Sequence, residues 1–427
     1  MNNNYNKVRV CTKCGKILPI SKFRFMKRNS SNSYFLGQCR DCEYKKQREY
    51  LEEKNKITFS NNLEYLIDIK YKKIKQERIL DLDKVGILPI GTDEIFVKLM
   101  DYKGYFLSNY GRCIHYVNGQ YNLLMGGYDS NGVMKYTVSK NVYSNGKWGF
   151  KRIPLFAHQA VVTEFIVNPD AQNNTFIWHG GYNKEDNYYR NLYPLNQEQY
   201  WTVKKNFTKT GDDSENFIRS VMNEMKYKPN TWSKKVISPT VCRIGYHGSE
   251  NIDRKSVSYL RWRDMINRCY NDKFHERQPQ YKDCEVCVEW HNYCNFKLWY
   301  ERNYYQVGEE QMDLDKDILF KGNKIYSPET CCIVPHSINT LFLNCAKNRG
   351  ELPVGVWYDN EKGKFRSGLS YCGQMIKLGT FNTTEEAFKR YKVYKEDLIR
   401  DIAEQYKGEI PYKVYEAMKN WEVDIED

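Results

Sequence analysis

Two cysteine pairs near the N-terminus constrain the fold of this chain more than any other feature. Cys11, Cys14, Cys39 and Cys42 follow the pattern C-x₂-C-x₂₄-C-x₂-C, in which each pair can present two thiolates to one tetrahedral Zn²⁺. Gly15 follows the first pair, where such a knuckle needs positive φ, and "PISKF" supplies the short apolar packing a very small domain requires. Without a metal, residues 1–50 would have almost no core, so a structural Zn²⁺ held by these four thiolates is expected.

The remaining cysteines, out of 14 in the chain, read as free thiols. The opening "MNNNYNKVRVC" lacks the apolar run of a signal peptide, and no stretch approaches the roughly 18 apolar residues of a membrane span. A cytosolic protein without a membrane partner is therefore expected, in a compartment that keeps thiols reduced. Cys284 and Cys287 form another C-x₂-C, but with no equally spaced partner pair they read as buried thiols.

A chain of 427 residues exceeds one ordinary core and suggests about two to four small modules. Lysine and arginine number 66 against 53 acidic residues, for a net charge of +13 spread along the chain. A dispersed positive surface suits a polyanion such as nucleic acid; a merely lysine-rich protein is the alternative on charge alone. The 36 tyrosines supply interior mass and half-exposed rings able to meet sugar or phosphate.

Along the chain, residues 51–86 are charged and nearly free of glycine and proline, with Leu63, Leu66, Ile67, Ile74 and Ile79 hinting at a stripe, and read as a helical spacer. Residues 87–206 open with glycine-punctuated alternation, a compact antiparallel pattern. Residues 207–255 are polar and irregular and read as a linker. Residues 256–348 begin with an amphipathic helical segment, and residues 349–427 read as three short strands and a helix. The expected class is α+β and multidomain.

Several of these segments resemble known families. "GYFLSNYGR", Gly104 to Arg112, resembles the NUMOD-type DNA-binding motif fused to HNH nucleases of phages and mobile introns. "AHQAVVTEFIVNP" behind it resembles the first helical half of an HNH unit, with His158 at the helix start as a core residue. "WHGGYNKEDNYYRNLYPLNQEQY" then overlays the HNH pattern "DHxDGNxxNNxxxNLxWxxxxxN" without a gap. The resemblance implies a ββα unit in which His179 is the general base and Asn187 and Asn191 belong to the catalytic set. It also implies a divalent cation such as Mg²⁺, but Trp178 and Tyr200 stand at the two ligand positions, and neither suits a hard cation. Asn196, Glu198 and Asp186 offer nearby oxygens instead. His179 is then either a working base or a structural or DNA-contacting remnant.

"LDKDILFKGNKIYSPETCCIVPHSIN" resembles a second HNH-like stretch. Asp315 and Asn339 stand at the cation-ligand positions and Lys316 at the position of the base, where a protonated lysine suits a phosphate. His336 offers an imidazole one turn before Asn339. The last segment resembles the APETALA-type DNA-binding domain, which implies a sheet facing duplex DNA with Arg366, Tyr371 and Lys377 as contacts, beside Arg112 in the NUMOD-like motif. The series as a whole resembles a phage-borne HNH homing endonuclease. That implies a protein in the cytoplasm of an infected bacterial host, which binds double-stranded DNA in a sequence-dependent way and hydrolyses it with a divalent cation; the sequence leaves its oligomeric state open, with a monomer favoured. The alternative is a DNA-binding protein derived from such a nuclease that no longer cuts.

Overall fold

The computed structural model describes residues 8–19, 23–29, 32–39, 71–226, 239–249, 251–342, 352–371 and 373–425. The architecture is α+β, with helices and strands in several small sheets. At the N-terminus, β1 (Val8–Val10) and β2 (Ile17–Pro19) form an antiparallel pair around the first cysteine turn. A second hairpin follows, of β3 (Phe23–Asn29) and β4 (Asn32–Cys39).

Residues 71–86 are not the helix their composition suggests. They form an extended strap with two 3₁₀ turns, Gln76–Arg78 and Leu82–Lys84, and isolated bridges from Tyr71 to Ile166 and from Ile79 to Val97. Tertiary partners override helix propensity here. Ile74 and Ile79 pack on the adjacent core, Arg78 pairs with Glu164, and Lys72 Nζ lies 2.8 Å from Glu329 and 3.3 Å from Glu289. Leu63, Leu66 and Ile67 lie outside the described residues.

The first large unit begins with an antiparallel sheet in chain order: β5 (Phe96–Lys98), β6 (Tyr105–Ser108), β7 (Cys113–Val117) and β8 (Gln120–Leu123). A second sheet, ordered β11-β10-β9, contains β9 (Gly127–Tyr128) and a long hairpin of β10 (Met134–Ser144) and β11 (Lys147–Phe156). Asn145 and Gly146 turn that hairpin with φ of 53° and 77°, the left-handed pair that matches strand twist. Then come α1 (Ala157–Phe165), β12 (Phe176–His179), β13 (Leu192–Leu195), α2 (Gln197–Thr210) and α3 (Glu215–Lys226). Helix α1 buries Ala157, Val161, Val162 and Phe165 against both sheets. Helix α3 lies inside the segment read as a linker, where it buries Ile218 and Val221 against Trp178 and Val203. Residues 207–226 therefore belong to the first unit.

The second unit contains α4 (Val257–Tyr270), α5 (Asp272–Arg277), β14 (Glu285–Val286), α6 (Val288–His291) and α7 (Tyr293–Asn303). It continues with β15 (Met312–Asp315), β16 (Ile325–Tyr326), β17 (Cys332–Pro335) and α8 (His336–Leu341). Strand β14 pairs parallel to β16, and β15 antiparallel to β17. Trp262, Trp290 and Phe296 centre its core, which also takes in Cys269, Cys284, Cys331 and Cys332. Burial pushes the Cys284 thiol above its ordinary range, as for a small apolar residue.

Strands β18 (Val356–Asp359), β19 (Lys364–Tyr371) and β20 (Gln374–Phe381) form an antiparallel sheet against α9 (Thr384–Gln405), followed by α10 (Tyr412–Lys419). The three strands and helix expected here are present, but their energetic boundary is not at residue 349. The first half of α9 covers the sheet with Ala387, Phe388 and Tyr391. Its second half, through Ile399, Ile402 and Ala403, enters the core of the second unit with Val414 and Met418 of α10. Helix α10 also reaches the first unit, where Lys413 pairs with Asp101 at 2.9 Å and Lys98 with Glu416 at 2.6 Å.

Candidate functional site

The first ββα arrangement consists of β12, β13 and α2. Trp178 pairs with Tyr193 and His179 with Leu192, so both residues of the "WH" pair fall in the ladder beside the helix that follows. Trp178 is 0% exposed, and its Nε1 donates to Asp213 at 3.0 Å. Tyr200, one turn into α2, meets it with ring centroids 5.7 Å apart, edge to face. The two positions the HNH pattern gives to cation ligands are thus neighbours in space, and they hold an aromatic pair. Two of the neighbouring oxygen-bearing side chains are engaged elsewhere. Asn196 caps α2 through the Gln199 N–H at 2.9 Å, and Asp186 accepts from Tyr188 N at 3.0 Å and Asn191 Nδ2 at 2.5 Å.

His179 is held as a neutral imidazole. Its Nδ1 lies 3.2 Å from the Asn183 carbonyl, which can only accept, so Nδ1 carries the proton and Nε2 is bare. Burial lowers its pKa and keeps the ring neutral at neutral pH. His158 meets it edge-on, with centroids 5.2 Å apart, and burial and then His179 lower His158 to about 4.

The orienting group is thus the Asn183 carbonyl. Asn191 bonds Asp186, and Asn187 donates to the Glu185 carbonyl at 3.2 Å while its buried Oδ1 has no partner among the described residues. Asn187 instead packs on the NUMOD-like turn. A Cβ on Gly111, whose φ is +83°, would fall 2.5 Å from Asn187 Cβ, so only glycine lets the two motifs approach.

In the second unit β15, β17 and α8 form the corresponding ββα, with Asp315 paired to Cys332. Asp315 accepts the N–H groups of Asp317 and Ile318, each at 2.7 Å, as a turn cap. Burial, and then Asp317, push its pKa up to about 6. Lys316 is buried and donates to both Asp317 oxygens at 2.8 and 2.7 Å and to the Asn323 carbonyl at 2.9 Å. Its charge is spent within the loop, which corrects the expectation of a phosphate grip.

Asn339 faces Asp313 rather than Asp315, with Nδ2 to Oδ2 at 3.2 Å. Asp313 also accepts from His336 Nδ1 at 2.6 Å, Arg261 Nη2 at 3.0 Å and Gln311 Nε2 at 2.8 Å. Residues 313 and 315 share one face of β15, a period-two signal by which Asp313 could have been found in the sequence.

The C-terminal sheet turns a second face away from α9. Val356 and Leu369 point to the helix, so the cross-strand neighbours Trp357, Arg366 and Thr380 lie on the outer face. A Cβ on Gly368 would fall 3.0 Å from the Trp357 ring, which covers that glycine. Lys364 and Lys377 are exposed and make no ion pair among the described residues. Arg366 pairs with Asp359, and Tyr371 packs against the core of the second unit. Arg112 is committed to Glu94 through two bonds of 2.9 and 2.7 Å and to the Leu88 carbonyl at 2.9 Å, a brace within the NUMOD-like turn.

At the N-terminus, Cys11 Sγ accepts the N–H groups of Lys13 and Cys14 at 3.4 and 3.5 Å, and Gly15 turns the chain with φ +71°. Such N–H···S bonds favour a thiolate and so fit a metal-binding turn. Cys39 ends β4, and Cys42 lies outside the described residues. Among the described residues no group of three or more His, Cys, Asp or Glu side chains is placed to hold a metal ion, and no helix is long and apolar enough to cross a membrane. No family model, curated protein or solved structure matches the chain.

Proposed function

We propose that this chain is a duplex-DNA-binding protein on an HNH homing-endonuclease scaffold whose first unit binds DNA without cutting it. The observation that carries this reading is the Trp178–Tyr200 pair. Both cation-ligand positions are filled by rings in contact, and Asn196 and Asp186 nearby are engaged as caps of a helix and a turn. Hydrolysis by this chemistry needs a cation to hold the scissile phosphate and the leaving oxygen, and an aromatic pair supplies no such ligand.

Binding draws on the net charge of +13 and on the outer face of the C-terminal sheet, where Trp357, Lys364 and Lys377 could meet bases and phosphates. Zn²⁺ on Cys11, Cys14, Cys39 and Cys42 belongs to the same reading as the group that holds the N-terminal hairpins together. Elemental analysis of the freshly purified chain should give one equivalent of zinc. Mobility shift of flanking duplex DNA in EDTA, against random duplex, tests the binding itself.

A second reading, metal-dependent nicking, is favoured by the tautomer of His179, whose bare Nε2 is the form a general base needs. It requires a cation held by groups other than the two the pattern assigns.

A further inference from the structure

Beside His179, the surface of the first unit carries two large exposed rings that the HNH pattern does not account for. Tyr182 is 41% exposed and Trp201 52% exposed. Lys204 Nζ lies 4.8 Å from the ring centroid of Trp201 and 5.6 Å from that of Tyr182, so one ammonium serves both. Lys204 makes no ion pair among the described residues, and Lys205 and Lys209 on the same helix are exposed.

The backbone is fitted to this placement at a cost. Gly181 and Tyr182 both adopt left-handed φ, of 66° and 56°. A bulky non-glycine residue there is strained and persists where its surroundings over-determine it. What holds Tyr182 is the filled ligand slot. Its ring lies 5.3 Å from Trp178 and 6.2 Å from Phe207, while Asp213 binds both Trp178 Nε1 and the Gly181 N–H, the latter at 2.6 Å.

We infer that Tyr182 and Trp201 form a stacking platform for unpaired nucleobases of single-stranded DNA, with the Lys204 ammonium meeting the adjoining phosphate. Aromatic faces take any base, and a basic neighbour neutralises the backbone, which is how single strands are held without sequence readout. Along the helix Lys204, Lys205 and Lys209 outnumber Glu198, and of the acidic groups beside the turn Asp213 is bonded by Trp178 and Gly181 and Asp186 by Tyr188 and Asn191, so the helix side complements a polyanion. The inference rests on the DNA-binding reading and goes beyond it by naming an unpaired segment as the ligand of this face.

The test uses the full chain with a fluorescein-labelled oligonucleotide, presented as a single strand and as a duplex of the same sequence, and reads anisotropy. Trp201→Ala should weaken single-strand binding about tenfold, in line with one lost stacking contact, and leave duplex binding within about twofold. Trp201→Phe should keep most of the single-strand affinity, and Lys204→Gln should weaken it with a shallower salt dependence. Tyr182→Gly, which suits the left-handed backbone, should behave like Trp201→Ala. Wild-type protein that binds duplex but not the single strand would overturn the inference. So would a folded Trp201→Ala protein with unchanged single-strand affinity, or one that loses both forms equally. Failure to bind any DNA would instead overturn the parent reading.

Discussion

Set beside the HNH pattern that the proposal invokes, the two ββα units depart from it in opposite ways. In the first, the imidazole of His179 stands with its Nε2 unprotonated, and the position the pattern gives to a ligand is apolar core around Trp178. In the second, a carboxylate and an amide stand at the pattern's ligand positions, but Asp315 caps a turn, Asn339 donates to Asp313, and the buried Lys316 stands where the pattern has its base.

The largest effect that could break this comparison is on stability. Trp178 anchors a buried aromatic cluster, so Trp178→Ala should cost about 3–5 kcal/mol, read as a shift of the urea midpoint. Asp315→Ala removes a turn cap and should cost about 1 kcal/mol. Similar losses from the two changes would mean that the first slot is not core. For the same reason Trp178→Asp with Tyr200→Asn, which restores the ligand pattern, should lower stability rather than create a cation site. Its carboxylate would be buried close to Asp213.

The next effect separates the units by pH. His158 has a folded pKa lowered to about 4, below its unfolded value, so the unfolded chain binds more protons between roughly pH 6.5 and 4. Stability is full above that window and falls through it on acidification, by on the order of 2 kcal/mol. His158→Phe should flatten this slope. Asp315 is raised to about 6, so the folded chain binds more protons between roughly pH 4 and 6 and stability falls as pH rises through that range. Asp315→Asn should therefore stabilise the protein at pH 7 and change little at pH 4. Urea melts of both variants at the two pH values check the opposite signs.

The smallest effect concerns the exposed sheet. Lys377→Ala should weaken duplex binding by about threefold to tenfold and reduce the salt slope by about one. Arg112→Ala should act mainly through lost stability, since that side chain is committed to Glu94. Arg112→Ala weakening DNA binding as much as Lys377→Ala, with stability unchanged, would return Arg112 to the contact surface.

Much of this was legible in the sequence because it rests on local pattern. The alternating strands and the helical spacing of Val161, Val162 and Phe165 in α1 follow from periodicity and turn residues, whereas the two ββα registers were readable only as what the HNH resemblance implies. The strap at residues 71–86 was not legible, because its charges are used in pairs with Glu164, Glu289 and Glu329 far along the chain. Helix α3 was missed because a polar segment gives no sign that Ile218 and Val221 meet Trp178. At the site, the position of His179 could be read from the motif, but the group that orients it could not. A backbone carbonyl, that of Asn183, has no sequence signature.

The central claim is that the first unit binds DNA with its cation slot closed. The most direct measurement is nicking of a supercoiled plasmid carrying the native flanking DNA, with Mg²⁺ or Mn²⁺ and with EDTA, for the wild type and His179→Ala. The expected result is specific, salt-sensitive binding that EDTA does not abolish, and no nicking by either protein. Cation-dependent nicking by the wild type that disappears in His179→Ala would contradict the account.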